Sequence, residues 1–167
     1  MRAAAAAMLA LALGGCGSGK SEAASVHKTI YDHFTVDVGG HPVSLQFAVL
    51  PSEQEQGLMR RMDLGKDEGM IFVSTAPQRE NFWMSNTPEP LDIAYLGRDG
   101  VIAEIYPLYP NALRTVSSRS DQMQFAVEMR QGWYAANGVR PGDRIDLKAV
   151  ADALRARDFD PAKFGMK

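Results

Sequence analysis

The sequence predicts a mainly β protein, a compact β-sandwich or barrel of about seven short strands with a few short helices. Two observations carry this prediction. Apolar and polar residues alternate over several short runs, which is the period of a half-buried strand. Turn-forming pairs such as Gly39-Gly40, Asp99-Gly100 and Pro141-Gly142 separate these runs. Frequent turns between short strands favour a sandwich or a barrel.

The first predicted strands form a hairpin over residues 29–49, with Gly39-Gly40 at its turn. Glycine accepts the positive φ angles that a tight hairpin turn requires. A short helix is predicted next, because Ser52 and Glu55 have the spacing of a capping box, and Gly65 is its predicted end. The apolar run GMIFV that follows is short, which favours a buried strand over a helix.

A second hairpin is predicted over residues 91–106, turning at Asp99-Gly100. The alternation gives this hairpin two apolar faces, with Leu91, Ile93, Tyr95, Ile102 and Tyr106 on one and Ala94, Leu96, Ala103 and Ile105 on the other. Apolar residues on both faces predict a central pair of strands that is covered on both sides.

The C-terminal third is predicted to contain two more strands and two helical segments. Alternation predicts a strand over residues 124–129, and a turn of helix is predicted over 132–137. A last strand is predicted over 144–147. Apolar residues at helical spacing then predict a C-terminal helix that ends at Asp160-Pro161.

The N-terminus has the features of an exported precursor. Arg2 precedes an apolar run, which is typical of a signal peptide and too short for a membrane span of roughly 20 residues. The residues that end at Cys16, LGGC, resemble the bacterial lipobox, in which the cysteine is acylated and becomes the new N-terminus. We therefore predict a signal peptide at 1–15, a lipidated N-terminus and flexible tether at 16–25, and one domain with a C-terminal helical extension at 26–167.

The predicted partner of this N-terminus is a membrane, reached through the lipid anchor. Cys16 is the single cysteine, so the chain can form no internal disulfide. Gly17 and Ser18 follow it, and resemblance to the sorting rules of Gram-negative bacteria then favours the periplasmic face of the outer membrane. The net charge of −2 and the lack of a basic stripe argue against a nucleic-acid partner.

Several segments together resemble the bacterial and archaeal family called domain of unknown function 192. The most specific segment is FWMSNTPEPLDIA at 82–94, and the others are EQGLMRR at 55–61, GMIFV at 69–73, FAVE at 125–128 and GVRPGD at 138–143. The resemblance covers about residues 35–147. It implies a small β-rich protein from a family with many exported members, and it implies no reaction.

Asp92 and Glu128 are the candidate catalytic residues. The predicted hairpin places Asp92 on the face of Ala94 and Leu96, where a carboxylate needs hydrogen-bond donors, and Arg60 or Arg61 are the expected donors. The favoured interpretation of Asp92 is a structural ion pair or a cap on the N–H groups of a loop. The alternative is a catalytic acid or base, paired with Glu128 as in a glycosidase.

Arg60, Trp83 and Asn86 are the candidate ligand-binding residues. Tryptophan offers a flat ring and asparagine a paired donor and acceptor, a combination that suits sugars or peptides. The alternative is a core Trp83, with Asn86 satisfying the turn before Pro88.

No metal site and no cofactor are predicted. The three histidines fit no metal-binding spacing, and the sequence lacks a P-loop, a dinucleotide fingerprint and Gly-x-Ser-x-Gly. Three hypotheses of function remain. The first is a non-enzymatic ligand-binding or accessory module of the cell envelope, which the lack of a visible nucleophile–base pair favours. The second is an envelope hydrolase acting on glycan or peptide through Asp92 and Glu128, and the third is a structural lipoprotein that contacts another envelope protein.

Overall fold

The computed structural model describes residues 27–166. The predicted signal peptide, the lipidation of Cys16 and the tether lie outside the described residues. Within residues 27–166, no helix has both the length and the apolar character needed to cross a membrane.

Eight strands and four helical segments make up this part of the chain. The strands are β1 (Phe34–Val38), β2 (His41–Ala48), β3 (Glu68–Gln78), β4 (Asn81–Phe82), β5 (Leu91–Gly97), β6 (Ile102–Leu108), β7 (Val116–Ser117) and β8 (Met123–Arg130). The helices are α1 (Pro51–Gln56), α2 (Trp133–Ala136), α3 (Leu147–Ala156) and a 3-10 helix (Pro161–Phe164). The predicted mainly β class is confirmed.

Six of these strands form one mixed sheet in the order β1-β2-β3-β8-β5-β6, while β4 and β7 form a small second sheet. The pair β2–β3 is parallel, and every other neighbouring pair in the large sheet is antiparallel. The parallel pair needs a crossover, which α1 and the loop after it supply. Both predicted hairpins, β1–β2 and β5–β6, are present.

The large sheet is open, so the predicted barrel is not formed. Its edge strands are β1 and β6, and the segment around Ile145 links them at one end. Ile145 bridges Val38 of β1, while Arg144 bridges Val101 beside β6. The prediction of a strand over 144–147 is wrong, because successive residues of this segment pair with different edges and α3 already begins at Leu147.

Each face of the large sheet carries its own hydrophobic core. The helix-side core contains Val150 and Leu154 of α3, packed with sheet residues such as Leu96. The loop-side core lies on the opposite face and contains Leu58 and Met84, with residues of β4 and β7 packed against it. The strands in the middle of the sheet are therefore buried on both faces.

A β-bulge in the second hairpin places Ile102 on the face opposite to the one predicted. Tyr95 pairs with Glu104, but Leu96 pairs with Ile102, so Ala103 is an extra residue. The bulge turns Ile102 towards the helix-side core, which is the face opposite to the predicted one. The hairpin is covered on both sides only at β5, because β6 is an edge strand.

Helix α1 is shorter than predicted and is capped by a different residue. Glu53, not Glu55, accepts hydrogen bonds through Oε2 from the N–H groups of Val49 and Leu50, at 2.9 and 3.0 Å. The helix ends at Gly57, which has a φ of 47°, and does not reach Gly65. The predicted cap was wrong because Pro51, whose fixed φ suits a first helical turn, moves the start upstream.

Candidate functional site

A cavity of about 200 Å³ opens on the loop-side core, between α1, β3 and the chain that runs through β4. Its wall combines aromatic rings, carboxyl groups and uncharged polar side chains: Phe72, Phe82, Trp83, Glu55, Glu80, Glu128, Gln54, Gln56, Ser74, Asn81 and Thr87. We call this space the Glu128 cavity. No lysine, arginine or histidine is among its lining residues.

Glu128 lies in β8, in the middle of the large sheet. Its cross-strand neighbours are Met70 of β3 and Ile93 of β5, and both belong to the loop-side core. Glu128 alternates with apolar residues along its strand, but its side of the sheet is not open to solvent, because the loops and the small sheet cover this face. Its residue exposure is only 4%.

The carboxyl group of Glu128 has no partner among residues 27–166. None of these residues donates a hydrogen bond to it or forms an ion pair with it, and burial alone raises its pKa to about 8. A buried charge is costly without compensation, so the neutral form dominates at neutral pH. Glu128 therefore presents to the cavity a carboxyl group that no described residue binds, where it can donate or accept a hydrogen bond.

Glu80 is a second buried carboxylate in the cavity wall, and sequence reasoning missed it. Its Oε1 accepts hydrogen bonds from Ser74 Oγ at 2.7 Å and from Gln78 Nε2 at 3.2 Å. Its backbone N–H donates to Ser118 Oγ at 3.0 Å. In the sequence Glu80 reads as a polar loop residue just before β4, and no pattern there signals its burial. Unlike Glu128, it is held by neighbouring side chains.

Trp83 lines the Glu128 cavity and is half exposed, at 50%. The alternative prediction, that Trp83 is buried in the core, is therefore wrong. The exposed ring leaves a surface against which a flat ligand can pack. Its role in binding remains a prediction.

Arg60 and Asn86 do not line the cavity, although they lie next to each other. The N–H of Arg60 donates to the carbonyl oxygen of Asn86 at 2.7 Å. Both residues have positive φ angles, 60° and 55°. This contact joins the loop after α1 to the loop after β4, and the adjacent residues Met59 and Thr87 line the cavity. The structure thus brings Arg60 and Asn86 together through their backbones, and Trp83 alone of the three candidates contributes to the cavity wall.

Asp92 caps a loop. Its Oδ2 accepts a hydrogen bond from the N–H of Gly132 at 2.7 Å, and burial raises its pKa despite this bond. The predicted donors Arg60 and Arg61 are wrong, because Arg61 instead donates to Asp63 and Gln46. The sequence favoured a structural role for Asp92, either an ion pair or a cap on the N–H groups of a loop. The structure shows the cap.

Asp92 and Glu128 do not form a carboxylate pair. Asp92 is directly opposite Met129, whereas Glu128 is directly opposite Ile93. Directly opposed residues project to the same face of a sheet, and successive residues project to opposite faces. The two carboxyl groups therefore lie on opposite faces, and the predicted pairing is corrected. The only described carboxyl groups that share the cavity with Glu128 are Glu55 and Glu80.

This chain resembles several solved structures, two of which are proteins from named bacteria, and no curated protein matches it. One is a protein from Sinorhizobium meliloti whose description proposes a role as a transcription regulator. It is 32% identical, with a TM-score of 0.66, and the match covers 71% of this chain and 96% of that one. The other is a protein of unknown function from Novosphingobium aromaticivorans. It is 31% identical, with a TM-score of 0.67, and the match covers 80% and 99% of the two chains.

A family model matches residues 34–147, which are more than half of the chain. This stretch contains all eight strands, and so it contains the sheet that carries Glu128. The family is described as "Uncharacterized ACR", a description that gives no reaction. The chain belongs to the DUF192 family, the domain of unknown function 192.

Proposed function

We propose that this protein is an exported, lipid-anchored binding module of the cell envelope, which holds a small polar ligand in the Glu128 cavity. The observation that carries the proposal is the buried, partnerless carboxyl group of Glu128 at a cavity whose wall includes the half-exposed Trp83. Small-molecule sites combine apolar walls with a few convergent polar groups, and groups with shifted pKa values concentrate in them.

The size of the cavity limits the ligand. At about 200 Å³ it is smaller than the 300–1,000 Å³ that is usual for drug-sized molecules. It therefore suits a small molecule or a single unit of a larger one, such as one sugar ring of a glycan or one side chain of a peptide. The lipobox-like sequence ending at Cys16 supports a location at the membrane surface of the envelope, where such polymers occur.

Titration calorimetry of purified protein tests the proposal with four named probes: glucose, N-acetylglucosamine, glucosamine and choline. We expect at least one to bind, and we expect Trp83→Ala to weaken that binding tenfold or more. Because Trp83 is half exposed, the same variant should lose only about 1–2 kcal/mol of unfolding free energy, against roughly 3–5 for a fully buried tryptophan.

Tyr109→Ala is the matched control, since Tyr109 is an exposed aromatic residue outside the lining of the cavity. It should leave the affinity of the bound probe unchanged. Binding that survives Trp83→Ala, or that fails equally in both variants, would argue against the cavity as the ligand site. A large stability loss in Trp83→Ala would instead favour a structural lipoprotein.

A second candidate function, an envelope hydrolase, is favoured by one specific observation: Glu128 shares the cavity with a second buried carboxyl group, Glu80. Glycosidases use two carboxyl groups, one of them protonated at neutral pH so that it can act as an acid. Glu128 has the raised pKa that this role needs. Release of nitrophenol from p-nitrophenyl N-acetyl-β-glucosaminide, lost in Glu128→Gln, would favour the hydrolase. Binding of this glucosaminide without release of nitrophenol would favour the binding module.

A further inference from the structure

The ionisable side chains that line the Glu128 cavity are all acidic. Three glutamates line it, and no basic side chain does. An anionic ligand would meet repulsion from the ionised carboxyl groups, and a neutral ligand would give the ionised form of Glu128 no counter-charge. A cation is the ligand that compensates a carboxylate buried in an apolar setting.

The rest of the wall favours an organic cation. Phe72 and Phe82 pack edge to face, with ring centroids 4.7 Å apart, and the half-exposed ring of Trp83 lies at the same cavity. The face of an aromatic ring attracts cations, and tryptophan does so most strongly. A combination of aromatic rings and carboxyl groups is the chemistry by which proteins bind ammonium groups.

We propose that the Glu128 cavity recognises a protonated amine or quaternary ammonium group of a small organic molecule, with Glu128 as its counter-charge and Trp83 as its aromatic contact. This inference rests on the proposed binding function and names the ligand class of the same site.

An inorganic cation fits the wall less well. Calcium takes six to eight oxygen ligands and magnesium demands an octahedron of them. Phe72, Phe82 and Trp83 offer no oxygen, and Oε1 of Glu80 already accepts two hydrogen bonds. Among residues 27–166, no cluster of three or more histidine, cysteine, aspartate or glutamate residues is arranged to hold a metal.

Binding of an ammonium group should release a proton from Glu128. The titratable groups on the same face as Glu128 are Glu55 from α1, Glu80 from the segment before β4 and Tyr95 from β5, whereas Tyr134 from α2 lies in the helix-side core. Each is neutral or negative, so none of them supplies the missing positive charge. Since the pKa of Glu128 is about 8 in the free protein, its ionised fraction rises steeply between pH 6 and pH 8.

The experiment compares choline with its uncharged isostere 3,3-dimethylbutan-1-ol by titration calorimetry at pH 9. The two molecules differ in charge and hardly in shape. We expect choline to bind at least tenfold more tightly. From pH 6 to pH 8 its affinity should rise about 50-fold, in proportion to the ionised fraction of Glu128, because choline itself keeps its charge.

Glu128→Gln supplies the decisive variant. Glutamine is the neutral counterpart of the protonated acid, so the fold should be retained, which thermal unfolding at pH 5 checks. In this variant the preference for choline and its pH dependence should both disappear. Persistence of either one in Glu128→Gln would overturn the assignment of Glu128.

The remaining outcomes separate this inference from the proposed function. Equal affinity for choline and its isostere, or binding of glucose alone, would overturn the ammonium assignment while leaving a binding module. Tight binding of Ca²⁺ that blocks choline would overturn it in favour of a metal site. If none of the neutral or cationic probes binds, the inference and the proposed function both fail.

Discussion

Glu128 is a single residue that makes the folded state sensitive to pH. In the folded protein its pKa is about 8, compared with an ordinary value of 4.5, because the apolar sheet face removes the carboxyl group from water. Between these pH values the folded protein holds a proton that the unfolded chain has lost. The free energy of unfolding therefore decreases as the pH rises from about 4.5 to about 8.

Replacement of Glu128 by glutamine tests this dependence. The variant should match the wild type at and below about pH 4.5 and exceed its stability at pH 9 by roughly 5 kcal/mol, since one pKa unit corresponds to about 1.4 kcal/mol. Urea unfolding at a series of pH values measures the difference. The control Thr87→Val changes a buried, uncharged residue of the same cavity and should shift stability equally at all pH values. If the unfolding free energy of Glu128→Gln and of the wild type changed in parallel with pH, the proposed effect of Glu128 burial would be contradicted.

Single residues were the hardest feature to predict from the sequence. In the sequence Glu128 stands out only by its carboxyl group, and its predicted partner Asp92 lies on the opposite face, because alternation does not specify the register between strands. Glu80 was missed since its burial depends on Ser74, Gln78 and Ser118, which no local pattern brings together. Trp83 was recognisable because a large aromatic residue stands in a compositionally unusual segment.

Strands and helices were predictable from the sequence where nearby residues determine the local backbone conformation. The hairpins follow from period-two alternation and from glycine turns, since Gly39 and Gly40 have φ angles of 63° and 87°. The bulge at Ala103 was not predictable, because one extra residue leaves the composition of a strand unchanged. Helix α3 was predicted from its apolar spacing, but it ends at Ala156, while Asp160 caps the 3-10 helix instead.

One buried ion pair joins the extension beyond the family region to the domain, in addition to the apolar packing of α3. Arg157, at the end of α3, donates to Glu53 of α1 and to the carbonyl oxygen of Phe47 in β2. The side chains of Arg157 and Glu53 are only 4% and 12% exposed. Burial alone would raise the pKa of Glu53, but the hydrogen bond from Arg157 and those from Leu50 and Val49 hold it below its ordinary value.

Removal of either Arg157 or Glu53 should therefore lower the free energy of unfolding. Arg157→Met leaves a buried carboxylate without its counter-charge, and we expect a loss of about 3–5 kcal/mol in urea unfolding. The double variant Glu53→Gln/Arg157→Met should lose less than the sum of the single changes, because neither then leaves an unpaired charge. Lys148→Met, which breaks an exposed pair with Asp152 on the same helix, is the control and should have little effect. Additive losses would mean that the pair is not coupled.

In the whole molecule, the two faces of the large sheet have different roles. The helix-side core, closed by α3, supplies apolar burial, while the loop-side face carries the Glu128 cavity. The residues around the cavity come from α1, β3, β8 and the chain through β4, which are far apart in the sequence. The class of fold was therefore predictable from local patterns. The cavity was not, because only the order of strands in the sheet brings its walls together.

The proposed location of the molecule, at a membrane surface, depends on Cys16. Acyl chains contribute about 0.8 kcal/mol per buried CH₂, so a cysteine that carries several chains holds a protein on the membrane. Cys16→Ser should therefore move the protein from the membrane fraction into the soluble periplasmic fraction, as followed by immunoblot after cell fractionation. Gly17→Asp is the matched variant, since it keeps the cysteine. By the sorting rule it should leave the protein on the membrane but shift it from the outer to the inner membrane. Retention of Cys16→Ser on the membrane would refute the anchor and would leave the binding proposal to stand on the cavity alone.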